Sequence, residues 1–216
     1  MPFNSLQSYL ERIYEVEIGY RVEDFLITDP STALRLDTSH SARESQEKLL
    51  VVEAEGALDL SLYLDPGLVG RLRGDDPTTR VHRGNLTDLG TAVEGVSHFL
   101  LVIWSALHGR RTSLLELEMQ AEVDKYVTSA FLWSRQSRGR IPAALHGWLF
   151  DEPRFDPALA DHERERYRSA HLWAARFCSD LERRYLRSGP ALGLVRELRR
   201  FYRLSREEKI RRSERG

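Results

Sequence analysis

LTDLGTAVEGVSHFLLVIWSALH at residues 86–108 and SLLELEMQAEVDKYVTSAFLW at residues 113–133 decide the fold. Apolar residues recur in both at the three-to-four spacing of an α-helix. Only the short turn His108-Gly109-Arg110-Arg111-Thr112 joins them. So short a connection implies an antiparallel helical hairpin. Thr87 or Asp88 can cap the first helix. Ser113 with Glu116 makes the capping box that opens the second.

A polar stripe interrupts each apolar pattern. On the first helix Thr87, Thr91, Glu94, His98 and Ser105 share one arc with His108, broken by Leu101. On the second, Glu118, Glu122, Lys125 and Ser129 share another, flanked on both sides by apolar residues. A weaker polar strip, Glu116 and Gln120, lies opposite. A helix with two apolar flanks is sandwiched between layers.

In an antiparallel hairpin His98 falls level with Glu122–Lys125. If the stripes face each other, Glu94, His98, Glu118, Glu122 and Lys125 converge. Glu and His at one-turn spacing on facing helices can hold a metal. Without metal, a buried Glu–His–Lys cluster has coupled protonation suited to acid–base catalysis. Two plainer readings compete. Glu118/Glu122 and Glu122/Lys125 are ordinary surface pairs, so the stripes can be solvated faces. They can also form a buried structural network. The Glu-x-x-His signature of di-iron bundles is absent, because Glu94 and His98 have one residue too many between them. The cofactor is left open.

Outward from the hairpin, NSLQSYLERIYEV at 4–16 reads as an opening helix, and Asp24–Thr28 as a short strand closed by Asp29-Pro30. Residues 37–47 read as a polar loop. Lys48–Glu53 and Ala57–Leu64 flank Ala54-Glu55-Gly56; Leu58, Leu60, Leu62 and Leu64 alternate with polar or amphipathic residues, the period of an antiparallel hairpin on a core. Asp65-Pro66 starts a short helix. Residues 74–85 form a polar linker. Residues 135–157 are irregular around one helical turn at 143–149. A long helix is expected over 158–187, ended by Ser188-Gly189-Pro190. Another follows over 191–204, and Ser205 with Glu208 forms a second capping box. The expected class is α+β, mainly a helical bundle with a small N-terminal antiparallel hairpin or sheet. One domain, 1–216, is expected. Residues 1–73 supply a helix and the sheet, and 86–216 the bundle with basic C-terminal helices.

At 41% hydrophobic and 30% charged residues, the composition excludes a disordered chain. A lone cysteine, Cys178, excludes an intrachain disulfide and fits a reducing compartment. Neither a leader nor a run long enough to span a bilayer is evident, so a cytoplasmic location with no membrane role is expected. Phosphate loops, nucleophile elbows and paired CxxC motifs are absent. His171 sits on an apolar stripe and reads as a core histidine. His162 reads as solvated, His40 and His82 as loop residues, and Cys178 as an inert core thiol.

The net charge of −1 hides a division: residues 181–216 carry +7 and the rest −8. Arg183, Arg184, Arg187, Arg211 and Arg212 contribute, with Tyr185, Phe201 and Tyr202 among them. Arg196, Arg199, Arg200, Arg203 and Arg206 form the expected partner surface, because guanidinium groups pair bidentately with phosphate or carboxylate. The leading expectation is a non-catalytic intracellular binding or regulatory protein. Its basic helices would contact an acidic protein or nucleic acid. The alternative is a metal-binding or acid–base enzyme on Glu94, His98, Glu118 and Glu122, with Lys125 beside them. The apolar flanks of 113–133 are a third candidate surface, for a homodimer.

Overall fold

The protein is described here by a computed structural model, outside residues 1–2, 38–44, 55–56, 152, 154, 187–190 and 216. Helix α1 (Phe3–Tyr14) buries Leu6, Leu10, Ile13 and Tyr14 along one face. A 3₁₀ turn (Val22–Phe25) follows, and strand β1 is only Leu26–Ile27. Asp29-Pro30, expected to close a strand, opens helix α2 (Pro30–Leu36) instead. The Asp29 carboxylate accepts the Thr32 N–H, and Pro30 takes the first helical turn.

Strands β2 (Glu47–Ala54) and β3 (Ala57–Leu64) form the expected antiparallel hairpin, in register Glu47↔Leu64. Residues 55–56 of its turn, and His40 with most of the loop before it, lie outside the described residues. The sheet is not purely antiparallel: β1 pairs parallel with β3, giving the order β1-β3-β2. Alternation gives one buried face only in part. Leu62 and Leu64 enter the main core, while Tyr63 packs on the opposite side with Ala33 of α2 and Leu50.

Helix α3 (Pro66–Gly74) is capped by Asp65, whose side chain accepts the Leu68 N–H. The polar stretch that follows is pinned rather than loose. Gln136 accepts the Val81 N–H and donates to the Pro77 and Thr78 carbonyls. Helices α4 (Leu86–Leu107) and α5 (Leu114–Gln136) are the expected hairpin, and the Ser113–Glu116 capping box is present. Gly109 turns the chain at φ +62°, a left-handed conformation that glycine adopts without steric cost.

Helices α6 (Leu145–Phe150) and α7 (Asp161–Leu181) follow, α7 running on into a π turn at Glu182–Leu186. The expected stop at 188–190 lies outside the described residues. Helices α8 (Ala191–Arg203) and α9 (Arg206–Glu214) complete the chain, α9 opening on the Ser205–Glu208 box. Helix α5 is sandwiched between α4 and α7, as its two apolar flanks require. Met119, Ala121 and Tyr126 of those flanks are buried within the chain. One cluster of buried side chains runs from Phe3 to Tyr202. The class is α+β, mainly helical with a small sheet. By length and composition α4 could cross a membrane, but 78% of its apolar window is buried inside the protein.

Candidate functional site

Helix α4 is long, apolar and central, so any polar group it carries inward must find a partner. Its stripe meets that of α5. His98 is 7% exposed and Glu118 9%, so the solvated-face reading does not hold for this part of the stripes. Two linked clusters result.

In the first, His98 lies between two carboxylates. Its Nδ1 is 3.5 Å from Glu47 Oε1 and its Nε2 is 3.8 Å from Glu118 Oε2. Both separations exceed a strong hydrogen bond. Among the described residues His98 Nε2 is buried with no hydrogen-bond partner. Ligand atoms of Glu94, His98 and Glu118 all lie within 4.8 Å of one another. In the second, Lys125 Nζ donates to Glu94 Oε2 at 2.7 Å and to Glu122 Oε1 at 2.9 Å. The other Glu122 oxygen is 3.0 Å from His171 Nδ1, and His171 Nε2 is 3.0 Å from the Phe150 carbonyl. Both partners of His171 are acceptors, so both of its nitrogens carry protons and the ring is a cation. His171 is thus a bonded histidine tying α7 to α5 and α6.

Glu47 reaches His98 because α4 carries glycine where β2 and β3 cross it. A Cβ on Gly95 would stand 2.9 Å from Leu62 Cδ1 and 3.0 Å from Glu47 Cγ. The small sheet therefore delivers a carboxylate to the hairpin. Sequence reasoning missed Glu47, since no local spacing ties a strand residue to a particular helical histidine.

Protonation follows from crowding four carboxylates in little water. Burial, which by itself lowers the His98 pKa, is outweighed by Glu47, Glu118 and Glu94, and the imidazole is pushed up to about 9. Burial raises Glu118 to about 7; His98 opposes this and Glu94 and Glu47 add to it. Burial also raises Glu47. Glu122 goes the other way, to about 2, because Lys125 and His171 together exceed its burial penalty. Lys125 is raised by Glu122 and Glu94 against its own burial.

A pocket of about 600 Å³ opens above this floor. Glu94, Glu118, Glu122, Lys125 and His171 line its base; Trp148, Phe155 and Tyr167 stand among its walls. His98 sits behind Glu118, outside the lining.

A separate polar network lies deeper. Asp124, fully buried, accepts from Tyr14, from Ser97 at 2.6 Å and from Gln120 at 2.9 Å. Gln120 in turn accepts from Lys209 Nζ at 2.8 Å. Lys209 is 1% exposed and lies over the Phe201 and Tyr202 rings. Burial raises Asp124 to about 6 against its three hydrogen bonds and lowers Lys209 to about 8. Gln120 belongs to the weaker polar strip of α5, but Asp124 itself went unread. Its partners come from α1, α4 and, through Gln120, α9.

The basic C-terminal region is largely engaged by its own chain. Arg199 pairs with Glu15 and donates to the Ile13 carbonyl, and Arg203 donates to the Tyr14 and Glu15 carbonyls. Arg206 pairs with Glu207. Arg183, Arg184 and Arg212 converge on Asp180. Phe201 and Tyr202 are buried, so neither can stack on a base. Arg196 and Arg200 make no ion pair among the described residues, and Arg187 lies outside them. His162 is exposed, His82 pairs with Asp75 at 2.9 Å, and Cys178 is buried.

Comparison with protein-family models, curated proteins and solved structures finds no match.

Proposed function

We propose that this chain is a metalloprotein that holds one first-row divalent ion on Glu94, His98 and Glu118 and presents it to a small molecule in the pocket above. The observation that carries this reading is the His98 Nε2 atom. It is buried without a hydrogen-bond partner, 3.8 Å from a Glu118 oxygen, on a residue whose ligand atom lies within 4.8 Å of those of Glu94 and Glu118. A desolvated ring nitrogen in that position is costly unless something binds it.

The chemistry of the donor set agrees. One imidazole and two carboxylates suit zinc, manganese or iron(II). Donors around such an ion stand about 3.3 Å apart, from bond lengths near 2.0–2.2 Å. Modest contraction of the present cluster therefore reaches bonding geometry. Glu47 stands where a carboxylate orients a ligating histidine through its other nitrogen. Charge is compatible with this. Glu47, Glu94, Glu118 and Glu122 bring four negative charges when ionised, against Lys125 and His171 on the positive side. A divalent ion with neutral His98 balances them, in place of the protons that His98 and Glu118 hold without it. Three protein donors leave coordination positions open toward the pocket, the arrangement used for polarising a carbonyl or activating water.

The anionic-partner reading draws less support. It depends on a vacant cationic face, and three of its five arginines are engaged within the chain.

Metal content and direct titration test the proposal. Purified full-length chain titrated with zinc(II) or manganese(II) takes up one equivalent, and His98→Ala and Glu118→Gln lose it. No uptake, or uptake untouched by His98→Ala, refutes the site.

A further inference from the structure

We infer that the pocket over this ion accepts a small molecule with an oxygen-donor anion at one end and a planar apolar body. The inference rests on the metal reading above and adds the class of ligand to it.

The argument starts from which positive charges are already spent. Lys125 is divided between Glu94 and Glu122, and His171 between Glu122 and the Phe150 carbonyl. Neither is available to an incoming anion. Two positive centres are left to the pocket. One is the ion, with its open positions. The other is Arg83, which lines the pocket, is exposed, and makes no ion pair among the described residues. Its guanidinium lies 5.6 Å over the Trp148 ring. A guanidinium held by its face keeps its edge N–H groups directed outward, ready for an oxyanion.

The walls specify the rest of the molecule. Trp148, Leu149, Phe150, Phe155, Leu159 and Tyr167 enclose the volume above the floor. Trp148 is itself braced by Trp133, with ring centroids 5.6 Å apart. Apolar walls with a few convergent polar groups, in about 600 Å³, match the usual site for a small organic ligand. The bare floor sets Glu94, Glu118 and Glu122 against Lys125 and His171, whose charges are already taken up by those carboxylates, and offers an incoming anion no free cation. The ion is therefore a precondition for binding, not an addition to it.

Benzohydroxamate and acetohydroxamate separate the parts of this claim, because they share a chelating head and differ in the body. On the metal-loaded full-length chain, calorimetry is expected to show benzohydroxamate binding at least about tenfold more tightly, from burial of the ring. Both probes are lost when the ion is stripped. Trp148→Ala brings the two probes together. Arg83→Gln, a change at an exposed side chain, weakens both a few-fold while the metal stoichiometry stays at one. If the ion binds but the probes bind equally or not at all, the ligand class is wrong and the metal reading stands. If benzylamine binds the metal-free chain instead, the pocket serves a cation and the inference is overturned. If no ion binds, both fall.

Discussion

His98 of α4 and Glu47 of β2 face each other at 3.5 Å across the contact between helix and sheet. That pairing gives the small sheet a purpose beyond covering the core. Glu47→Gln is predicted to weaken zinc binding about 10- to 100-fold while leaving one equivalent bound at saturation, as loss of an outer carboxylate does. Competition against a chelator of known affinity reads this directly.

Gly95 makes the approach possible, and Gly90, five residues earlier on another face of α4, provides the control. A Cβ at Gly95 meets Leu62 and Glu47 at 2.9–3.0 Å, whereas one at Gly90 meets the Lys125 side chain at 3.8–3.9 Å, ordinary van der Waals contact. Gly95→Ala is predicted to destabilise by about 1–2 kcal/mol from overpacking, despite its gain in helix propensity. Gly90→Ala is predicted to stabilise by about 0.5–1 kcal/mol. Urea unfolding of the metal-free proteins compares them. Equal effects would show that the helix–sheet contact yields freely.

Metal uptake is predicted to release protons in a pH-dependent number. His98 holds a proton up to about pH 9 and Glu118 up to about pH 7 in the metal-free protein. The ion displaces about two protons near pH 6 and about one near pH 8, so affinity rises with pH over this range. The metal-free fold behaves oppositely. Both pKa values are raised, so the stability they contribute is complete below the unfolded values, near 6.5 for His98 and 4.5 for Glu118. It is lost as pH rises through about 9 and about 7. Calorimetry in buffers of different ionisation enthalpy counts the protons.

The convergence of Glu94, His98, Glu118, Glu122 and Lys125 was legible in the sequence, because two helical periods and one short turn determine which residues face each other. Burial of that stripe was not legible. Glu118, Glu122 and Lys125 have the spacing of any solvated helix, and only the packing of α5 between α4 and α7 removes the water. Glu47 and Asp124 were out of reach for a related reason: their partners are remote in sequence. The short helix at Pro30 was misread because Asp-Pro punctuates strand ends and helix starts alike. In the basic tail, charge composition was visible, but not that backbone carbonyls of α1 would take up Arg199 and Arg203.

Tyr14→Phe is predicted to cost about 2 kcal/mol, since it removes a hydrogen bond to a buried carboxylate. The cost should shrink as pH falls below about 6, where Asp124 becomes protonated and needs the donor less. Chemical denaturation at pH 5 and pH 7.5 reads the difference. A cost independent of pH would place the energy in the hydrogen bond that the Tyr14 hydroxyl accepts from Gln120 instead.

Glu122→Gln is predicted to destabilise by about 2–3 kcal/mol by leaving Lys125 and His171 short of a shared counter-ion. The Glu122 pKa is depressed to about 2, so its stabilisation is complete above about pH 4.5 and lost as pH falls toward 2. The gap between wild type and variant should therefore be flat from pH 5 to 7 and narrow in acid. A gap that widens on acidification would mean the carboxylate is not the anion of that cluster.

Anomalous diffraction from crystals of the full chain soaked in zinc(II) tests the central claim most directly. The account predicts one strong peak between Glu94, His98 and Glu118, within about 2.0–2.2 Å of His98 Nε2. A peak at other residues only, or none in crystals whose surface sites are filled, would contradict it.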